Sequence, residues 1–327
     1  LRKRGYLPQN LVRYSYRPFD VRWLYWESET KLLDEKRPEY FPHVQPDNLW
    51  IEARQRQPMD QFDRGMFTRV LADNLGNGLS SYFPAYLYTA PEQAQLGLFE
   101  TEPAPLSGRR PNLSDQAKAY LAELGFTPQD GAPLLFYHTL AVLHSPAYRV
   151  ENAGALRQDW PRVPLPKTRE ALEASAALGR QVAALLDVET FVPGVTQGDP
   201  RPELHSVGML TTNDGAPDFT INVNWGYFGS GSAVMPGRGR AVEADGLIDV
   251  YLNASTYWKG IPPAVWEYTL GGYQVLKKWL SYRETAVLGR PLKAEEAREF
   301  MHIARRIAAL LALNDALDTN YRAVTAG

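Results

Sequence analysis

The sequence predicts a mixed α/β fold of the α+β kind, on three observations. Residues 10–28 are rich in aromatic and β-branched types, which suit strands. Residues 191–259 alternate short strand-like runs with glycine-rich turns. Between and after these, residues 133–145, 168–186 and 293–321 repeat apolar side chains at helical spacing. The expected result is two β-rich portions and two helical portions, with coarse divisions at 1–90, 113–190, 191–260 and 261–327.

The elements follow in chain order. Pro18 breaks residues 10–28 into two strands, and residues 49–55 and 81–88 continue in the same style. Pro84 splits the latter and marks it as a sheet edge. Residues 89–112 carry four prolines and no periodicity, the composition of a surface connection. Ser114 caps a short helix that ends near Gly125. Pro133 opens the apolar helix PLLFYHTLAVLHS, which Pro146 ends or bends. Pro161, Pro164 and Pro166 make an extended strap, and Thr168 caps a long helix whose core face holds Leu172, Ala176, Leu178 and Val182. TINVN (220–224) alternates as a strand does, and LIDVYLN (247–253) less strictly. Pro262 and Pro263 start a helix through VWEYTLGGYQVLKKWLSYRE (265–284). A closing helix from residue 293 to about 321 buries Phe300, Ile303, Ala304, Ile307 and Leu311.

The 265–284 stretch carries the most information. Read as a helix, it gathers Val265, Thr269, Tyr273, Leu276 and Leu280 on one side and Glu267, Gly271, Gln274, Lys278 and Ser281 on the other. Two adjacent glycines inside a helix cost about 1 kcal/mol each relative to alanine, so something must approach closely. Either another backbone packs there and the lysines are solvated, or a phosphate or base edge comes near.

WEYTLGGYQVLKKWLSYRE resembles the signature of the C-terminal specificity region of Type ISP restriction–modification enzymes and related adenine-specific DNA methyltransferases. Three further phrases resemble the same family in the same order: YRPFDVRWLYW (16–26), YHTLAVLHSPAYR (137–149) and QDWPRVPLP (158–166). Together they span nearly the whole chain, so residues 1–327 resemble one target recognition region. The resemblance implies a parent that carries a nuclease, a helicase-like motor and an adenine-N6 methyltransferase using S-adenosylmethionine, with this part last. No NPPY-type or DPPY-type tetrapeptide and no G-x-x-x-x-G-K-[ST] loop occur, so methyl transfer and nucleotide hydrolysis are expected outside this chain. Leu1 opens the chain in place of methionine, which suits a fragment or a chain whose beginning is missing.

Composition narrows the partners. No apolar run reaches the ~18 residues that span a bilayer, and the absence of cysteine removes disulfides and thiolate zinc sites. A cytoplasmic protein without membrane contact is the expectation. The net charge is −2, whereas duplex DNA is gripped by basic side chains. Positive charge is local: residues 1–22 hold six arginines and lysines against Asp20 alone, and residues 277–306 hold eight against four glutamates.

The best candidate for reading bases is the glycine-rich segment GYFGSGSAVMPGRGR (226–240). Arg238 and Arg240 are of the type that bonds guanine bidentately, Ser230 and Ser232 can bond phosphates or base edges, and Met235 can press on a thymine methyl. Asn222 and Asn224 lead into it on one strand face and suit adenine. A mobile loop with solvated arginines is the competing reading. In EARQRQ (52–57), a strand would put Arg54 and Arg56 on one face and Gln55 and Gln57 on the other. It is a groove reader or a charged edge strand. Because family members recognise different targets, the shared GGYQVLKKW phrase is expected to be scaffold or phosphate clamp, with Gln274, Lys277 and Lys278 as positioning contacts. Arg13 and Arg17 are further phosphate candidates, in competition with docking to the methyltransferase. Arg298, His302 and Arg305 form a solvated stripe on the closing helix.

Catalytic readings are weaker. Asp47, Glu52 and Arg54 resemble a nuclease core only superficially, since the acids lie too close together and arginine replaces lysine. His138 and His144 lie on an apolar helix, as core histidines do, and none of the five histidines shows metal spacing. The expectation is a non-enzymatic chain, without cofactor or metal of its own. It would bind double-stranded DNA sequence-specifically for a companion adenine-N6 methyltransferase. A scaffold module that reads no bases is the alternative.

Overall fold

Prolines and glycines punctuate this chain, so its strands are short and its sheets small. The computed structural model describes residues 5–27, 30–33, 37–56, 65–73, 80–88 and 108–326. It divides into two units, Leu1–Ala183 with Ala316–Gly327, and Ala184–Asp315.

In the first unit, β1 (Leu11–Arg17) and β2 (Asp20–Tyr25) form a hairpin in which Arg13 faces Trp23. Pro18 and Phe19 make its turn, with Phe19 held at φ 60° and its ring buried. β3 (Trp50–Ala53) is the central strand between β4 (Met66–Thr68) and β5 (Ser81–Pro84). Pro84 thus sits on an edge strand, where a missing N–H costs no ladder bond. β6 (Tyr86–Tyr88) pairs with β7 (Arg109–Pro111). The described end of the expected 89–112 connection is therefore a strand, while residues 89–107 lie outside the described residues.

The helices of this unit follow their caps. Ser114 Oγ accepts the Ala117 N–H at 3.2 Å and starts α1 (Asp115–Glu123). α2 runs Pro128–His144, so it begins five residues before Pro133. Thr127 caps it by accepting the Asp130 N–H at 3.2 Å, and Pro133 is tolerated inside because it forfeits only one bond near the start. Ser145 then caps α3 (Pro146–Glu151), and Pro146 occupies the first turn, where its missing N–H is harmless. After α4 (Ala153–Leu156), residues 160–166 form the extended strap. Its carbonyls accept from Tyr148 Oη (to Arg162, 3.1 Å) and Tyr120 Oη (to Pro166, 2.7 Å).

Thr168 starts α5 (Arg169–Leu186), whose Gly179 lies against the Tyr137 carbonyl so closely that a Cβ would sit 1.8 Å from the oxygen. His138 is fully buried between Ser175 Oγ (2.7 Å) and the Pro164 carbonyl (2.8 Å), and burial pushes its pKa down. His144 meets the Gly65 carbonyl at 2.7 Å. Both are partnered core residues.

In the second unit, four strands make an antiparallel sheet in the order β11-β12-β13-β8. They are β8 (Met209–Thr212), β11 (Ala241–Ala244), β12 (Leu247–Tyr251) and β13 (Thr256–Ile261). A separate ribbon pairs β9 (Gly226–Phe228) with β10 (Val234–Pro236). TINVN is not a strand, because its backbone groups bond elsewhere. Ile221 N–H donates to Thr285 Oγ1, Asn222 N–H to the Leu252 carbonyl, and the Thr220 carbonyl accepts from Asn253 Nδ2.

The 265–284 stretch is not one helix either. It is α6 (Pro263–Trp266), the two-residue strands β14 (Thr269–Leu270) and β15 (Tyr273–Gln274), and α7 (Val275–Ser281). Gly271 and Gly272 form the tight turn between β14 and β15 with φ 64° and 76°. Two successive positive φ values are what such a hairpin needs, and only glycine supplies both without strain. After α8 (Thr285–Leu288) comes α9 (Ala294–Ala312), which breaks at Leu313 before the final helix Asn314–Ala326. The expected single closing helix is therefore two. Trp258 and Phe300 pack with ring centroids 4.0 Å apart, and Trp279 joins them from α7 at 5.4 Å.

The Arg298–His302–Arg305 stripe is not a uniformly solvated face. Arg305 is buried and donates to the Val207 and His205 carbonyls, both at 3.3 Å. Its neighbour Arg306 is 2% exposed and caps the C-terminal end of α5. It donates to the Ala184 (2.8 Å), Leu185 (3.3 Å) and Thr190 carbonyls and to Thr196 Oγ1. Burial pushes its pKa down to about 10, which leaves it charged at neutral pH.

Burial and the surrounding Arg305, Arg306 and Arg298 push the His302 pKa down to about 4. An imidazole that titrates near 6.5 when unfolded therefore contributes stability above that pH and loses it as pH falls toward 4. The expected loss is about 3 kcal/mol between those limits. Urea midpoints at neutral and acid pH check it, and His302→Gln should abolish that part of the pH dependence.

Candidate nucleic-acid interface

Around the β9–β10 ribbon, a rigid root carries exposed groups. At the root, Trp225 is fully buried and donates its indole N–H to the Tyr251 carbonyl at 2.7 Å. The backbone N–H groups of Asn224 and Trp225 donate to the two carboxylate oxygens of Glu284 at 3.3 and 2.8 Å. Burial pushes the Glu284 pKa up against the opposing effect of these bonds. Returning from the ribbon, Gly237 N–H donates to the Trp225 carbonyl (2.7 Å) and Gly239 N–H to the Asn224 carbonyl (3.0 Å).

Three glycines let these parts meet. An added Cβ would lie 1.9 Å from the Ser281 carbonyl oxygen at Gly226, 2.0 Å from the Asn224 oxygen at Gly237, and 1.9 Å from the Trp225 ring at Gly239. Segment 226–240 is thus a pinned hairpin, not a loose loop. The tip is a 3-10 turn over Ser230–Ser232, with Gly231 and Ser232 at φ 67° and 62°.

The candidates in and just before this segment reach the surface: Asn222, Asn224, Ser230, Ser232, Arg238 and Arg240 are exposed. Asn224 adopts φ 63° at the bend rather than a strand position, so it does not share a strand face with Asn222. Arg240 lies with its guanidinium over the Tyr251 ring, 3.9 Å from its centroid. No carboxylate occurs between Asp218 and Glu243, so the segment is locally cationic in a chain of net charge −2.

The candidate positioning residues lie on the element that backs the root, since Ser281, at the end of α7, touches Gly226. Lys277 and Lys278 are half-buried on α7, and Lys278 Nζ sits 4.7 Å from the Tyr282 ring centroid and 5.2 Å from that of Tyr273. Gln274 instead works within the fold, its Nε2 donating to the Trp266 carbonyl at 2.7 Å across the GG hairpin.

The remaining candidates belong to the other unit. Arg13 packs over the Trp23 ring at 4.8 Å. Arg17 is buried and ion-paired with Asp73 at 3.1 Å, an internal position. Strand β3 ends at Ala53, so Arg54 and Arg56 follow it in irregular backbone and do not share a strand face. Gln55 Nε2 donates to Asp159 at 3.4 Å, and Gln57 lies outside the described residues.

The acid pair of the nuclease reading does not form a site. Glu52 is fully buried and accepts from Ser80 Oγ, while Asp47 is exposed and pairs with Arg109 and Tyr88. Among the described residues no three His, Cys, Asp or Glu side chains are grouped to hold a metal ion, and no helix is long and apolar enough to cross a membrane.

Sequence reasoning missed Glu284, Trp225 and the exposed Tyr227 and Phe228. The available signal was the spacing of Gly226, Gly237 and Gly239 around a tryptophan.

Three solved structures share this fold. The nuclease-deletion mutant of the Type ISP restriction–modification enzyme LlaGI, in complex with a DNA substrate mimic, matches with a TM-score of 0.59 at 17% identity. That match covers 97% of this chain and 25% of the other. The ATP-dependent Type ISP enzyme LlaBIII bound to DNA gives 0.62 at 14% identity, over 97% and 19%. The DrdV–DNA complex gives 0.62 at 21%, over 99% and 29%. This chain thus spans between about a fifth and three tenths of the length of those proteins. No curated protein sequence matches it. The family model of the Type ISP C-terminal specificity domain matches residues 1–307, and the chain belongs to that family.

Proposed function

We propose that this chain is the target recognition domain of a restriction–modification enzyme and binds duplex DNA sequence-specifically. The observation that carries the reading is the pinned, acid-free hairpin, which holds Asn222, Asn224, Ser230, Ser232, Arg238 and Arg240 at the surface of a specificity-domain fold. Lys277 and Lys278 on α7, with Arg13, Arg54 and Arg56, supply positive charge for phosphates. Gln274, and Arg17 with its Asp73 partner, act by holding the scaffold. The chain holds DNA in register and performs no bond chemistry. A companion methyltransferase domain, using S-adenosylmethionine, flips an adenine and methylates N6 in the cytoplasm. The solved relatives are DNA complexes of restriction–modification enzymes, which supports this assignment.

Selection of bound duplexes from a randomised pool by the full-length protein tests the reading. A defined site should be enriched. Arg238→Ala and Arg240→Ala should each relax one position of that site by about 1–3 kcal/mol. Lys277→Ala and Lys278→Ala should weaken binding to all duplexes alike and lower the salt slope by about 1 each. The net charge of −2 favours a scaffold that reads no bases. Absence of DNA binding at low salt would establish that alternative.

A further inference from the structure

We infer that the β9–β10 ribbon carries an apolar wedge, Tyr227, Phe228 and Met235, that inserts between base pairs of the bound duplex. This rests on the recognition reading above and adds to it a deformation of the DNA. Tyr227 is 53% exposed, Phe228 55% and Met235 44%, although Trp225 and Gly226 immediately before them are buried. Tyr227 and Met235 are direct cross-strand partners and share one face of the ribbon, while Phe228 pairs with Val234 and points to the other. Large apolar groups therefore project from both faces of a two-stranded ribbon.

The root decides what such a projection is good for. Glu284, Trp225 and the close approaches at Gly226, Gly237 and Gly239 fix where the ribbon leaves the fold. A projecting aromatic on a fixed stem loses little conformational freedom on insertion, so more of the contact energy is available to separate stacked bases. Unstacking a base step is costly, and phenylalanine and methionine are side-chain types that offset it in minor-groove binders.

Charge selects the occupant. Residues 219–242 contain Arg238 and Arg240 and no carboxylate, so the partner that meets these rings is an anion with flat apolar surfaces. Stacked base pairs between phosphate rails fit that description. An apolar protein surface leaves the two exposed arginines without counter-charge.

The test uses the full-length protein and the duplex it selects from a randomised pool, with 2-aminopurine placed at each adenine in turn. Apart from the adenine that the methyltransferase flips, fluorescence should rise several-fold at one or two adjacent steps on binding. In the combined Tyr227→Ala, Phe228→Ala, Met235→Ala variant the rise should vanish and affinity for the selected site should fall about tenfold or more, the scale of a lost specific contact. Binding to unselected duplex and its salt slope should stay unchanged, and an unaltered melting temperature shows that the fold is intact. A selected site whose fluorescence does not change away from the flipped adenine, or changes there equally in the variant, removes the wedge and leaves the recognition reading standing. The exposed rings would then belong to a protein contact. Failure to select any site removes both.

Discussion

Arg306→Met is expected to destabilise the protein by about 3–5 kcal/mol, the largest effect of any single substitution considered for this fold. The methylene stem would be replaced well, so packing is not what is lost. Its two terminal nitrogens supply four hydrogen bonds, to three carbonyls and one hydroxyl, and two of those carbonyls belong to the last turn of α5. Helix C-terminal carbonyls have no partner in their own helix and carry the negative end of its dipole. Removing the guanidinium leaves them buried and unbonded. Arg306→Lys keeps the charge but cannot fork to both sides, so it should recover less than half of the loss. Chemical denaturation of the three proteins at neutral pH measures this.

Gly226→Ala is expected to weaken site-specific DNA binding by at least about tenfold and to cost about 1–3 kcal/mol of stability, the scale of an overpacked interior. The new methyl group would lie 1.9 Å from a backbone oxygen, Ser281 O, which no side-chain rotation can relieve. The ribbon must move or α7 must yield. Gly231 provides the control within the same hairpin. Its tip position has φ 67° but nothing within 4 Å of an added Cβ, so Gly231→Ala should cost only the left-handed backbone penalty of about 1–2 kcal/mol. It should leave the root and the salt-dependent part of binding intact. Equal losses of binding in the two variants would show that the root does not aim the ribbon.

Local chemistry made much of the fold legible. Ser114 and Thr168 cap helices because a hydroxyl just before an apolar periodic run satisfies an orphan N–H, and both do so here. Pro18 marked a break between strands, which the structure resolves as a hairpin turn, and Pro84 marked an edge. The glycine pair at 271–272 was readable as an anomaly in a helix but not as its resolution. Periodicity cannot distinguish seven helical residues after a turn from twenty continuous ones. TINVN alternates, yet side chains remote in sequence, among them Thr285, Glu284 and Asn253, take its backbone groups. No window of neighbouring residues contains that information.

The candidate site was legible in the same uneven way. Segment 226–240 stood out by its glycines and arginines, and its four predicted contact residues, with Asn222 and Asn224 just before it, do reach the surface. What composition hid was the carboxylate of Glu284 beneath it, some sixty residues later in the chain. The stripe Arg298–His302–Arg305 looked uniform, although Arg305 turns inward to meet carbonyls, as does its neighbour Arg306. Which arginine faces a helix end depends on tertiary placement and leaves no local trace.

The pinned stem of the β9–β10 ribbon has a consequence for how such a protein changes its preferences. The hold on the arm lies in the contacts of residues 224–226, 237–239 and 284, whereas the lettering at Asn222, Ser230, Ser232, Arg238 and Arg240 is exposed. Rewriting the lettering alters the address without taxing the frame. Transplanting residues 222–240 in one piece between proteins of this kind, with the root glycines kept, is therefore the natural first move in retargeting them.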